Sequence, residues 1–270
     1  MSLCIGVVTP EGIVVAGESR QTQVIGGVNR VGSDSAVKVF DLSDTVLAAT
    51  AGWAFLQPQS ATMSKNIASL IEEFKPTIPA GSNVQTITAL LHTHFNNLYQ
   101  QHVAQNPTSA VGAGQVALNF IVAGYNSGST DGELFSIDIP SAAAPTAASR
   151  STNQSGPWWI GQTDVVARVI NGYDPRTFNL AFVQTANTPN ETATTELAGL
   201  QYAVFYNTMT IQDAIDFAVG MIQVTIIIQR FTAGIATQPG AVAGVGGPID
   251  VAVIQPGKKV EWIARKTLHV

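Results

Sequence analysis

The sequence predicts an α+β protein, a four-layer αββα sandwich with helices covering two antiparallel sheets set face to face. Three observations predict it. Short β-rich runs parted by turns open the chain and return near its middle and end; two amphipathic stretches follow the first strands; and a further helical set precedes the last ones. With 270 residues and no internal repeat, a single domain over residues 1–270 is expected.

The elements follow in order. Residues 4–8 and 13–16 are apolar or Gly, and Thr9-Pro10-Glu11-Gly12 between them reads as a turn in which Pro fixes φ at the second position. This hairpin returns Gly17-Glu18-Ser19-Arg20 beside the first residues. A regular turn there pairs Ser2 with Ser19 and puts Glu18 on the opposite face of the sheet from Ser2. Residues 23–31 and 36–42 read as strands separated by Gly32-Ser33-Asp34-Ser35, and 45–51 as a further strand ending at Gly52. Apolar spacing of three and four predicts helices over 60–74 (Met63, Ile67, Leu70, Ile71) and 82–105 (Ile87, Leu91, Phe95, Leu98), with Pro76 and Pro79 between them.

Strands return at 116–125 and 133–139 around Asn126-Ser127-Gly128-Ser129. The Ala-, Ser-, Thr- and Pro-rich stretch 140–155 reads as a surface loop. Trp158-Trp159-Ile160-Gly161 is a short strand leading into a helix over 163–170, while 174–196 has no pattern that places it. A long apolar helix over 211–231 carries Asp216, Gln223, Thr225, Gln229 and Arg230, too many polar groups for a membrane span, and is expected to lie buried between layers. A loop insertion at 232–247 and strands at 249–254 and 260–264 close the chain.

Composition narrows the function. Hydrophobic residues make up 46% and charged residues 11%, so part of the outer surface must be apolar or neutral, which favours burial against copies of the same chain. A net charge of -5 provides no basic field for nucleic acid. Cys4 is the only cysteine, so no intrachain disulfide forms. The first twenty residues lack the basic and long apolar regions of a signal peptide, and a cytoplasmic location is expected.

Most motifs carry little. His92 and His94 are two residues apart, which turns their rings to different sides of a helix, and they read as solvated histidines and not as metal ligands. Gly112-Ala113-Gly114 and Gly244-Val245-Gly246-Gly247 lack the strand-to-helix setting and the Gly-Lys-Ser/Thr of a phosphate loop. No Gly-x-Ser-x-Gly elbow is present. No metal or cofactor is expected.

Ser2 is different. Initiator Met is normally removed before a small residue, which would leave Ser2 with a hydroxyl and a free α-amine. An α-amine has an ordinary pKa of about 7.7 to 8.0 and can take the hydroxyl proton during attack without a histidine. A nearby Lys cation would favour the neutral amine and a developing alkoxide, and a carboxylate would hold that Lys. Lys38 and Glu18 are the candidates, and a backbone N–H at Gly52 could serve the oxyanion. Taken singly, Glu18 with Arg20 reads as an ion pair at a strand end, Lys38 as a solvated strand residue and Gly52 as a turn former. Their joint order points to the catalytic reading.

The series GIVVAGESR, AVKVFDL and AATAGWA, with the later GVGGPIDVAVI, resembles proteasome β-type subunits of the N-terminal nucleophile hydrolase superfamily, with features near the bacterial ancestral β subunit group. The resemblance implies Ser2 as nucleophile and amine base, Lys38 as the catalytic lysine, Gly52 as the oxyanion N–H and Glu18 in the place of the family's Asp; hairpin parity, which pairs Ser2 with Ser19 and turns Glu18 away, makes Ser19 the closer functional candidate. It implies a substrate pocket at Thr22, Ala36, Phe40, Thr50 and Ala54 for a small or medium apolar side chain. It also implies peptide or unfolded-protein substrates, self-association into rings or ring-like oligomers, and a separate ATPase as a partner. The chain departs from the pattern in two places. Gln162-Thr163 stands where the family has a Ser after Gly161, and only Ala, Val and Gly precede Gly246-Gly247 where the family has an Asp and a Ser. The second reading on the same fold is a catalytically weak or inactive structural subunit, or an amidase or transpeptidase.

Overall fold

The computed structural model describes residues 2–25, 27–59, 61–151, 153–180, 195–232, 234–235, 238–239 and 242–267. The chain is α+β, and every strand pairing among the described residues is antiparallel. Strands β1 (Leu3–Thr9) and β2 (Gly12–Glu18) form the expected hairpin, in register from Cys4↔Gly17 to Thr9↔Gly12. Both are buried along their whole length, so neither shows the polar alternation of a sheet with one wet face.

The next segment corrects the single strand expected over 23–31. It folds as a hairpin of β3 (Gln21–Ile25) and β4 (Val28–Ser33), with Gly27 at φ +78° in the turn. The Gly26-Gly27 dipeptide was the signal for it. Strands β5 (Val39–Ser43) and β6 (Val46–Gly52) follow as expected. The short strands β7 (Phe55–Leu56) and β8 (Lys65–Asn66) pair with each other. Helix α1 accordingly covers Ile67–Phe74 and not 60–74: the Asn66 side chain accepts the Ala68 N–H at 2.6 Å and starts the helix there.

Helix α2 (Val84–Gln105) is capped by Asn83, and β9 (Leu118–Tyr125) and β10 (Gly132–Ile139) form the next hairpin. The described part of 140–155 contains no helix or strand, only an isolated Leu134↔Arg150 bridge. Strand β11 (Gly156–Gly161) leads into α3 (Asp164–Asn171). Most of the unplaced stretch 174–196 lies outside the described residues. Helix α4 (Ile211–Phe231) opens with a capping box between Thr210 and Asp213. Within 232–247, part of which also lies outside the described residues, β12 (Gly234–Ile235) pairs with β13 (Gln238–Pro239), and β14 (Ile249–Ile254) and β15 (Glu261–Ala264) complete the chain.

The strands assemble into a five-stranded sheet, β11-β1-β2-β14-β15, and a four-stranded sheet, β10-β9-β6-β5, beside three two-stranded pairs. Successive residues of β1 go to different cores, as the twofold period of a strand demands: Leu3 and Ile5 pack with Ala214, Ala218 and Ile222 of α4, while Cys4 joins Leu47, Ala49 and Ile121 of the other sheet. A third core sets Phe40, Ala48 and Phe120 against Ile71, Leu91 and Phe95 of α1 and α2.

Two expectations are corrected by these cores. His92 is buried with Nε2 3.0 Å from Ser141 Oγ, and His94 is half-buried against Phe74 and Phe95, so neither is a solvated histidine. Helix α4 is buried along one stripe (Ala214, Ala218, Ile222, Thr225, Gln229), whereas Ile227, Ile228 and Phe231 are exposed, so it is not enclosed between layers. Among the described residues it is also the one helix long and apolar enough to cross a membrane.

Candidate active site

Ser2 is fixed from the β11 side. Its carbonyl accepts the Gln162 N–H at 2.6 Å, and a Cβ on Gly161, at φ +93°, would lie 1.9 Å from that same oxygen. Only Gly lets the end of β11 come this close. The β1–β2 register, continued past Cys4↔Gly17, sets Ser2 opposite Ser19 and Leu3 opposite Glu18, as the turn length predicted. Ser2 is buried without being sealed, at 5% exposure.

Glu18 continues the face of Val14 and Ala16, away from the Ser2 side. The cation comes to it instead. Gly17 makes this approach possible: a Cβ there would stand 3.0 Å from both Cys4 Sγ and Val39 Cγ2, so the bare backbone lets the start of β5 pack directly on β2. Lys38, which immediately precedes β5, donates its ammonium to Glu18 Oε1 and to the Arg20 carbonyl. Glu18 also accepts the backbone N–H groups of Leu3 at 3.2 Å, Arg20 at 2.7 Å and Gly246 at 2.9 Å. Burial raises the Glu18 carboxyl above the ordinary glutamate range, and Lys38, then the Gly246 and Arg20 N–H groups, oppose that rise. Arg20 does not use its guanidinium on Glu18. It forms a two-pronged pair with Asp34, at 2.7 and 2.9 Å, which raises the guanidinium and lowers the Asp34 carboxyl.

Ser2, Lys38, Thr22, Ala36, Thr50, Ala54 and Gly52 line one pocket that opens to solvent. On β6 the Thr50 N–H donates to the Lys38 carbonyl at 2.9 Å, and the Trp53 N–H donates on the opposite side to Ala117 at 2.8 Å. Strand alternation therefore directs the Gly52 N–H to the Lys38 side, past the first residue of β5 and toward the cavity. Gly52 is obligatory for a second reason: at φ +105° a Cβ would sit 2.2 Å from the Ala117 carbonyl oxygen.

Phe40 is the pocket candidate that lies elsewhere. It is buried in the core against α1 and α2. In its stead the cavity gains Trp53 and the first turn of α1, Asn66, Ile67 and Ala68. An Asn before a periodic apolar run is an N-cap signal, and Asn66 was readable on that ground. Ser19 is fully buried, with its N–H on Gly246 and its carbonyl on Ala36, and its hydroxyl has no hydrogen-bond partner among the described residues. Burial pushes the Cys4 thiol up to about 12, and it donates to the Thr50 carbonyl, so at neutral pH it is no nucleophile.

Among the described residues no three His, Cys, Asp or Glu side chains come together as metal ligands. The arrangement is suited to acyl transfer: a serine and an anchored lysine that line one pocket, with Gly52 and its backbone N–H beside them. No protein-family model matches the chain, and no curated protein matches it.

Proposed function

We propose that the chain is a proteasome-like peptidase of the N-terminal nucleophile class, hydrolysing peptide bonds through an acyl-enzyme on Ser2 once Met1 has been removed. One observation carries this reading: Ser2 and Lys38 border the same cavity, with Lys38 anchored on the buried Glu18. The wider architecture fits it, with the two sheets as the inner layers of a four-layer αββα sandwich. The three cores, helix against sheet, sheet against sheet and sheet against helix, support that layering. Self-association into a ring or ring-like oligomer belongs to the same reading, and the exposed Ile227, Ile228 and Phe231 on α4 are apolar surface available to it.

In this mechanism the Ser2 α-amine takes the hydroxyl proton as Oγ attacks the substrate carbonyl carbon. The Lys38 cation keeps the amine neutral beforehand and favours charge on Oγ, and the Gly52 N–H meets the oxyanion. The ammonium then returns the proton to the departing amine as the C–N bond breaks, leaving an ester on Ser2. Water, deprotonated by the same amine, releases the acid and restores the hydroxyl.

The test is intact mass followed by a tripeptide epoxyketone, a warhead that must react with both a hydroxyl and an amine on one residue. Loss of one Met and a single adduct on the Ser2 peptide, abolished by Ser2→Ala and strongly slowed by Lys38→Ala, is the expected result. Retained Met1, or equal labelling of all three proteins, overturns the proposal.

A further inference from the structure

Gln162 and the stretch 243–245 carry no acid or hydroxyl of their own, yet both are held by a single buried side chain. The buried face of α4 holds one polar side chain that reaches outward. Gln229 is 4% exposed, and both ends of its amide are engaged. Its Nε2 donates to Gln162 Oε1 at 2.8 Å, and its Oε1 accepts the N–H groups of Gly244 at 2.9 Å and Val245 at 3.0 Å.

Each contact leads, one step further, to a site residue. The backbone N–H of Gln162 holds the Ser2 carbonyl at 2.6 Å. The next residue after Val245, Gly246, gives its N–H to Glu18 Oε2 at 2.9 Å and its carbonyl to the Ser19 N–H at 3.1 Å. One amide therefore ties down both the strand end that holds Ser2 and the segment that holds the anchor of Lys38. Thr225, one turn earlier on the same stripe, shows the contrast: it is fully buried, and its hydroxyl bonds back to Met221 of its own helix, as a Thr serving only the helix would do. An apolar residue at 229 would fill the same volume without an amide to satisfy.

We infer that Gln229 is a positioning residue for the Ser2 centre, setting the relative placement of Ser2 and the Glu18–Lys38 pair from behind the sheet. The inference rests on the peptidase reading above. Gln229 is not part of the cavity wall, so its loss alters the aim of Ser2 and leaves the binding of the probe intact. Misplacing reacting groups by about 1 Å slows a reaction about a hundredfold.

The experiment is inactivation kinetics with the tripeptide epoxyketone, rates normalised to folded protein, on wild type and Gln229→Met, a change that keeps the volume and removes all three bonds. The maximal inactivation rate is expected to fall about ten- to a hundredfold, with the probe's half-saturating concentration changed by less than about twofold. A residue that serves only folding would lower the melting temperature and leave the rate per folded molecule unchanged, and that outcome overturns the inference while the peptidase reading stands. A wild type that takes no adduct at Ser2 overturns both. If Gln229→Met does not fold, Gln229→Asn, which keeps both amide groups one methylene short, is measured in the same way, and an unchanged maximal rate is again decisive against the inference.

Discussion

The Lys38 ammonium is ion-paired with the Glu18 carboxylate at the end of β2, at side-chain exposures of 7% and 0%. Such a pair is costly to break from one side, because the remaining charge has neither water nor a partner. Lys38→Met is expected to lower stability at pH 7 by about 3–5 kcal/mol. Urea unfolding checks this. The loss should shrink as the pH falls and the stranded Glu18, raised by burial and no longer opposed by Lys38, takes a proton, and a loss independent of pH would contradict the arrangement.

Removing both partners has the opposite consequence. The Glu18 carboxyl is raised by burial, so folding favours its neutral form. Its contribution to stability is therefore complete below the unfolded value of about 4.3 and is lost as pH rises through the higher folded value. Glu18→Gln/Lys38→Met should then match or exceed wild-type stability at pH 7 by up to about 4 kcal/mol, with the difference narrowing as the pH falls below the folded value. A double variant weaker than wild type at pH 7 would show that the N–H donors outweigh burial.

Gly161 predicts a coupled loss of stability and site. At φ +93° an alanine is strained, and its Cβ would meet the Ser2 carbonyl oxygen at 1.9 Å. Gly161→Ala should cost about 1–3 kcal/mol in urea unfolding and reduce epoxyketone labelling at Ser2 well beyond the fraction unfolded. Labelling that falls only in step with the unfolded fraction would mean that Ser2 does not depend on this contact.

Much of this frame was legible in the sequence, for physical reasons that differ by element. The β1–β2 register follows from turn length and parity alone, and α4 from its apolar period. The turn at Gly27 and the start of α1 at Asn66 do not follow from apolar spacing, which runs on through both local stop signals. The resemblance alone places Phe40 in the pocket, whereas the strand period puts it with Leu42 on the face that packs against α1 and α2. Gln229 could not be found this way. A Gln in an apolar helix gives no hint of its partners until α4, β11 and residues 244–246 are brought together, and those contacts span up to 67 residues of sequence.

A second buried ion pair closes the chain. Lys266 donates its ammonium to Asp250 Oδ2 and its backbone N–H to Oδ1 at 2.8 Å, with side-chain exposures of 6% and 2%. Asp250 lies opposite Gly17 in the β14–β2 register, next to the strand that carries Glu18. Lys266→Met should cost about 3–5 kcal/mol, and Asp250→Asn/Lys266→Met should recover most of it. Thermal melting of the two variants decides the matter. A single variant within about 0.5 kcal/mol of wild type would assign the pair to the surface class.

Ser19 separates stability from chemistry. Its hydroxyl is buried without a partner among the described residues and, by the β1–β2 register continued past Cys4↔Gly17, stands across from Ser2. An unsatisfied buried hydroxyl costs a fold about 1–3 kcal/mol, so Ser19→Ala should unfold no earlier than wild type in urea and is expected to unfold later. If the hydroxyl is left unpaired because it serves the Ser2 amine, the same variant should label more slowly with the epoxyketone while being the more stable protein. Faster unfolding would reveal a partner for the hydroxyl. Unchanged labelling would leave Ser19 a packing residue and place the orientation of Ser2 wholly on the β11 side.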